Sequence, residues 1–373
     1  MLRFAEITAA VTQAAGEAGF DLAGVAPVED VPELEYFPRW IAEGHAGEMK
    51  YLEARDEQGR LKRASLAHAA PWARSVIVCA LNYNTAAPYS TQATEHTTES
   101  HSTNMQSRGW ISRYAWGQQD YHDAVMPRLR RVEMAVRNAY GCDDLVTRCY
   151  VDTGPIVERV AAKYAGIGWI GKNTCMINQK IGSWFFLGVI LTSLELEPDP
   201  GLGVPAPDRC GSCTRCIDAC PTDALIAPYQ LDSNKCIAYL TIEKRGAIAQ
   251  ELRSGMGRHV FGCDICQDVC PWNRKAPVTS AAEFQPRAGL VNPALDRLAE
   301  MSAEEFNRTF RGSPVKRTKR AGLRRNAAIA MGNSGERKFL PVLEKLAGDE
   351  DEVVRESAEW AVRKIESREK ASG

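Results

Sequence analysis

Eight cysteines crowded between Cys210 and Cys270 constrain this chain more than any other feature. One run reads Cys210-x2-Cys213-x2-Cys216-x3-Cys220-Pro221. The other begins at Cys236 and resumes, after a long gap, as Cys263-x2-Cys266-x3-Cys270-Pro271. Bacterial two-cluster ferredoxins carry runs of this kind. Three thiolates on a tight loop reach three irons on one face of a cubane. The fourth thiolate, at the start of a helix, points toward the neighbouring cluster. On that logic one [4Fe–4S] cluster takes Cys210, Cys213, Cys216 and Cys270. The second takes Cys220, Cys236, Cys263 and Cys266. The gap after Cys236 departs from the simple pattern. It holds the insertion TIEKRGAIAQELRSGMGRHVFG, expected to contact another domain or the substrate. Paired zinc sites also use C-x2-C, but two proline-terminated runs with crossed spacing argue for clusters. A chain built this way is an electron-transfer protein or a redox enzyme.

The remaining composition narrows the setting. The chain has 373 residues, twelve cysteines and a formal net charge of -1. That length suits two or three domains. The N-terminus MLRFAEITAAVTQAAGEAGF is amphipathic and lacks the apolar core of a signal peptide. No apolar run is long enough for a membrane span. Cysteines without a secretory signal point to cluster ligation in a reducing compartment, so a cytoplasmic protein is expected. Nothing demands a partner chain, and a monomer is expected. Cys79, Cys142, Cys149 and Cys175 lie outside the cluster pattern and read as buried thiols.

Periodicity places a helix over residues 4–16 and another over Tyr121 to Tyr140. Ser75 to Tyr83, Leu145 to Val151 and Trp184 to Leu194 read as strands, and a helix follows from about Pro155. Mixed strands and helices through about residue 200 indicate an α/β or α+β domain; the expected fold class is α+β, with residues 1–200 as a first domain, 201–278 as the cysteine-rich domain and 279–373 as a helical tail. The tail matches itself at a spacing of 30 residues, Leu323-Arg-Arg-Asn-Ala-Ala against Val353-Val-Arg-Glu-Ser-Ala. That period suits stacked helical repeats of HEAT type. Residues 85–109 are rich in Ser and Thr and read as a surface insertion; His96 and His101 within it read as loop residues.

Three further features bear on chemistry. Gly166-Ile-Gly168-Trp-Ile-Gly171 matches GxGxxG, but a helix rather than a strand precedes it, so a dinucleotide fold is not indicated. Asp152-Thr-Gly-Pro155 joins a strand to a helix. Its aspartate is either a helix cap or a general acid that must hold a proton at neutral pH. The stretch from Arg308 to Arg325 holds Arg308, Arg311, Lys316, Arg317, Lys319, Arg320, Arg324 and Arg325 with no acidic residue. Such a cluster suits nucleic-acid phosphates. RNA read by shape and backbone fits better than DNA, because no DNA-reading motif stands beside it.

Together these segments resemble the epoxyqueuosine reductase family over nearly the whole chain. The likeness rests on Lys62-Arg63 ahead of PWARSVIVCALNY, Arg113-Tyr-Ala-Trp116-Gly, Asp120-Tyr121-His122, VDTGPIVERVAAKYAGIGWIGKN, CGSCTRCIDACPTDA, FGCDICQDVCPWN and VKRTKRAGLRRNAAIA. It implies a nitroreductase-related cobalamin domain, a ferredoxin-like domain with two [4Fe–4S] clusters and a HEAT-like module. It also implies reduction of epoxyqueuosine to queuosine in tRNA, with cobalamin recharged by the clusters. The electron donor stays unidentified. Asp152 matches the family's proposed proton donor. Arg63, Ser112, Arg113, Gly171, Lys172, Asn173, Asp264 and Gln267 fall at segments expected to line the cobalamin. The basic stretch, from Arg311 to Arg325, would hold the anticodon stem-loop. A reductive dehalogenase shares the two-cluster plan but needs no basic module. An electron carrier with an RNA-binding tail would contain no cobalt.

Overall fold

The computed structural model describes residues 4–89, 91, 107–141, 144–198 and 205–370. His96, His101, Cys142 and most of the Ser/Thr-rich insertion lie outside them. The start of that insertion is buried: Thr85 packs inside and accepts a hydrogen bond from Arg113.

The first two hundred residues form a four-stranded antiparallel sheet. Its strands are β1 (Leu22–Pro27), β2 (Ser75–Asn82), β3 (Thr147–Tyr150) and β4 (Phe185–Thr192), in the order β1-β2-β4-β3. Side chains alternate across a strand, so Ile77, Cys79 and Leu81 enter one core and Val76, Val78 and Ala80 another. Helices α1 (Phe4–Glu17) and α2 (Tyr121–Tyr140) cover the first face; α3 (Glu158–Tyr164) covers the second. Burial on both faces explains why β2 and β4 read as unbroken apolar runs. Asp120 caps α2 by accepting from the His122 amide, and Gly141 ends it in the left-handed conformation.

Beyond the cysteine-rich segment come α4 (Leu295–Glu300), α5 (Ala303–Thr309), α6 (Lys319–Ser334), α7 (Leu340–Leu346) and α8 (Glu352–Lys370). Helices α6 and α8 run side by side in the same direction. Arg324 near the start of α6 pairs with Asp349, and Asn333 near its end meets Lys364. Ala328 and Ala358, the residues matched at the 30-residue spacing, are both fully buried. Gly332 lets the helices touch; a Cβ there would lie 2.8 Å from the Ala361 Cα. These helices share their core with Ile111, Trp116, Val260 and Phe261. The insertion after Cys236 packs against them too. Ile248 and Met256 meet Ile329, and buried Arg253 pairs with Glu356. Among the described residues no helix is long and apolar enough to cross a membrane.

Two of the basic residues expected to hold RNA are inside this packing. Arg325 has 0% exposure and donates to the carbonyls of Leu240, Lys244 and Gly246. Arg324, 9% exposed, donates to the Ala299 carbonyl and pairs with Asp349. Both satisfy buried carbonyl and carboxylate oxygens, so neither can face a phosphate.

Candidate active site

A cleft of about 1080 Å³ opens between the sheet domain, the cysteine-rich segment and the start of the helical tail. Its wall is mostly aromatic and apolar, with Phe37, Trp40, Tyr83, Tyr114, Phe186 and Trp169 among its members. Charged residues also line it, among them Arg63, Asp152, Glu158, Arg159 and Arg317.

Asp152 follows β3 on the loop into α3. Its φ of 59° is the left-handed region, uncommon for a residue with a Cβ but reached by Asp and Asn more than most. The residue is exposed to the cleft. Its carboxylate accepts a hydrogen bond from Tyr121 Oη at 2.9 Å. It is not the N-cap of α3; Val157 holds that position and no side chain caps it. The Asp152 amide donates instead to Glu158 Oε1 at 2.7 Å.

Tyr121 sits at the start of α2 with its ring stacked on Phe186, centroids 4.6 Å apart. Burial, followed by the Asp152 charge, pushes its phenol up, so it remains a donor. Arg317 donates to the same phenol oxygen at 3.0 Å and lies 3.5 Å from Asp120. The sequence puts Arg317 among the phosphate contacts; the fold turns it toward the cleft, where it braces Tyr121 beside Asp152. Arg63 also reaches the cleft, tied to the Tyr51 carbonyl at 2.8 Å. Gln267 lines it as well and donates to Ser183 Oγ at 2.9 Å.

Among the described residues, the cleft wall does not include the other expected cofactor contacts. Ser112 and the Arg113 amide both donate to the buried Asp264 carboxylate, the amide at 2.6 Å. The Arg113 side chain, 3% exposed, is caged by Tyr89, Trp116 and Trp184. These three residues lock the sheet domain to the cluster loop. Lys172 donates to the carbonyls of Gly211 and Cys213, and Asn173 to that of Cys266. Gly171 is close-packed against Ile177. This glycine-rich turn therefore holds the cysteine loops. Its Gly168 approaches the Ile177 carbonyl so closely that a Cβ would collide, which accounts for the GxGxxG match without a nucleotide.

The eight cysteines gather in two groups. Cys216 feels the charges of Cys210 and Cys213, and Cys270 those of Cys210 and Cys216. Cys263 feels Cys236 and Cys220, and Cys266 feels Cys263 and Cys236. Burial pushes the Cys236 and Cys263 thiols up, so their ionisation needs a cation's help. Cys79 and Cys149 are buried thiols, as expected. Cys175 is not: it lines the cleft and hydrogen-bonds Cys266. The second, inner group therefore adjoins the cleft through Cys175, and the first, outer group meets the cleft residue Trp169, which packs on Cys210 and Cys270.

The chain is similar to known proteins of one family. A family model described as epoxyqueuosine reductase QueG, DUF1730, matches residues 63–153. Another, described as a 4Fe-4S double cluster binding domain, matches residues 209–273. An epoxyqueuosine reductase from Pseudomonas aeruginosa is 39% identical over 351 residues, covering 93% of this chain and 91% of its own. One from Xanthomonas campestris pv. campestris is 37% identical, covering 96% of each. A solved epoxyqueuosine reductase bound to an epoxyqueuosine-modified tRNA-Tyr stem loop superposes with a TM-score of 0.83 at 31% identity. That match covers 99% of this chain and 94% of the solved one. A Bacillus subtilis epoxyqueuosine reductase, 30% identical with a TM-score of 0.83 over 99% of this chain and 94% of its own, was solved with an aspartate-bearing catalytic loop swung out of its active site. At this identity, and with relatives that match it over nearly its whole length, the chain belongs to the epoxyqueuosine reductase family.

Proposed function

We propose that this chain reduces epoxyqueuosine in tRNA to queuosine, using a cobalamin in the cleft and electrons delivered through two [4Fe–4S] clusters. The observation that carries the reading is the meeting, in one cleft, of the Asp152 carboxylate and the inner thiol group. The cleft exceeds the ~300–1,000 Å³ usual for drug-sized ligands, and its aromatic wall suits a large, flat macrocycle. Arg63, Gln267 and Tyr51 would hold it. Bound there, the cobalamin would supply the two-electron chemistry at the epoxide. The clusters would be ligated by Cys210, Cys213, Cys216 and Cys270, and by Cys220, Cys236, Cys263 and Cys266.

The chain's own residues do the rest. Asp152 protonates the epoxide oxygen. Tyr121 and Arg317 orient that carboxyl, and the aromatic wall excludes water. Domains run 1–200, nitroreductase-related; 201–278, ferredoxin-like; and 279–373, a HEAT-like module for the tRNA. The decisive assay supplies reconstituted protein with cobalamin, a chemical reductant and epoxyqueuosine-containing tRNA, followed by nucleoside digestion. Queuosine should accumulate and epoxyqueuosine disappear. Unchanged epoxyqueuosine with both cofactors loaded ends the reading.

The tRNA face is the exposed remainder of the basic stretch: Arg308, Arg311, Lys316 and Lys319, with Arg320 half-buried. Replacing Arg311, Lys316 and Lys319 by Ala should weaken tRNA binding evenly across sequences. The slope of log affinity against log salt should become shallower by about one for each phosphate that the variant no longer neutralises. An unchanged slope would make this a solvated face.

A further inference from the structure

The reduction of an epoxide to an alkene consumes two electrons and two protons. Both C–O bonds break, a C=C bond forms, and the oxygen leaves as water. Asp152 can hold one proton at a time, so turnover needs a second source close by.

Glu158 is placed for that task. It opens α3, six residues after Asp152, and both residues line the same cleft. Its Oε1 accepts the Asp152 amide at 2.7 Å, which pins the left-handed backbone that aims the Asp152 carboxylate at Tyr121. Tyr121 donates to the Asp152 carboxylate, and Glu158 accepts from the Asp152 backbone N–H.

We propose that Glu158 is a positioning residue and proton reserve: it holds the Asp152 loop through one carboxyl oxygen and reloads Asp152 with the second proton of each turnover. This rests on the epoxide-reductase reading above. In the first transfer Asp152 gives its proton to the opening epoxide oxygen and becomes a carboxylate. Glu158 then protonates it, and Asp152 delivers that proton as the hydroxyl leaves as water. Solvent restores Glu158 between turnovers.

The electrostatics support the assignment. The Asp152 N–H, then Arg63 from the segment ahead of β2 and Arg159 from α3, favour the charged form of Glu158. Burial, and after it the Asp152 charge, outweigh them and push the carboxyl up to about 8. Glu158 therefore holds a proton at neutral pH and loses it as pH rises through that value.

Glu158→Gln tests this cleanly, because the amide oxygen can still accept from the Asp152 backbone while the proton is gone. Iron content and melting temperature should match the wild type. Turnover at pH 7 should fall by about a hundredfold with KM for tRNA unchanged. The wild-type rate should decline as pH rises through about 8, and the variant should lose that limb. Burial also pushes the Asp268 carboxyl up to about 8, so the infrared readout is a difference: independently of turnover, wild type minus E158Q should show a protonated-carboxyl band that disappears near pH 8. A variant with the wild-type rate and pH profile, or a difference without that band, overturns the role of Glu158. A difference that shows the band, from a wild type that makes no queuosine, overturns the functional reading instead.

Discussion

Asp152→Asn should lower turnover of epoxyqueuosine-containing tRNA by about 10²–10⁴-fold, the range a positioned general acid contributes, with cobalamin and iron content unchanged. The choice of Asn matters. Asp152 lies at φ 59°, and Asn is the other side chain that adopts this region readily. An Ala there would add backbone strain of order 1–3 kcal/mol and confuse loss of the proton with loss of the loop. Asn keeps a side-chain oxygen for Tyr121 Oη, and the backbone N–H still donates to Glu158, so only proton delivery is removed. Single-turnover measurement with pre-reduced protein isolates the chemical step. Full turnover in D152N would reduce Asp152 to a turn residue. A parallel loss in Tyr121→Phe, smaller than in D152N, is expected because the phenol orients the carboxyl and donates no proton to substrate.

Much of this site could be read from residue order, and the unread part has physical reasons. Strands β2 and β4 stood out because both faces of the sheet are covered, which leaves no polar alternation to blur them. Helix α2 is legible from its periodicity, and in the fold Asp120 and Gly141 mark its ends. The cysteines were legible because cluster ligation fixes spacing along the chain. Side-chain direction was not. Arg317, Arg324 and Arg325 look like Lys316 and Lys319 in a string of letters, yet Arg324 and Arg325 turn inward and Arg317 toward the cleft. Arg325 meets the carbonyls of Leu240, Lys244 and Gly246, groups some eighty residues away. Their need for donors cannot be seen until the chain is folded. Ser112, Arg113 and Asp264 read as cofactor contacts along the chain; in the fold they hydrogen-bond one another, a pairing that residue order does not display. Glu158 was hidden because its partner is a backbone N–H, which every residue but proline offers. The stretch VDTGPIVER held the clue only in hindsight, as a carboxylate one loop away from another.

Paired alanine substitutions at the cysteines should separate the crossed arrangement from a sequential one and abolish turnover in either case. If ligation follows the spatial groups, Cys216 and Cys270 serve one cluster while Cys220 serves the other. A C216A/C270A protein should then lose the outer cluster alone and retain about four of the eight irons that two [4Fe–4S] centres hold. A C216A/C220A protein should lose both. Sequential ligation, with Cys210, Cys213, Cys216 and Cys220 on a single cubane, predicts the reverse: four irons in the second protein and few in the first. Alanine is preferred to serine, which can substitute as an oxygen ligand. Turnover with a protein donor should vanish in both, because electrons reach the cleft through the centres in series. A small-molecule reductant that enters the cleft directly distinguishes the two proteins' remaining parts. It should restore some queuosine formation to C216A/C270A, whose inner group beside Cys175 and Gln267 is intact. Equal rescue of both proteins would show that the inner cluster is dispensable once the cleft is reduced from solvent, and the wire would then end at the cofactor's edge rather than at Cys266.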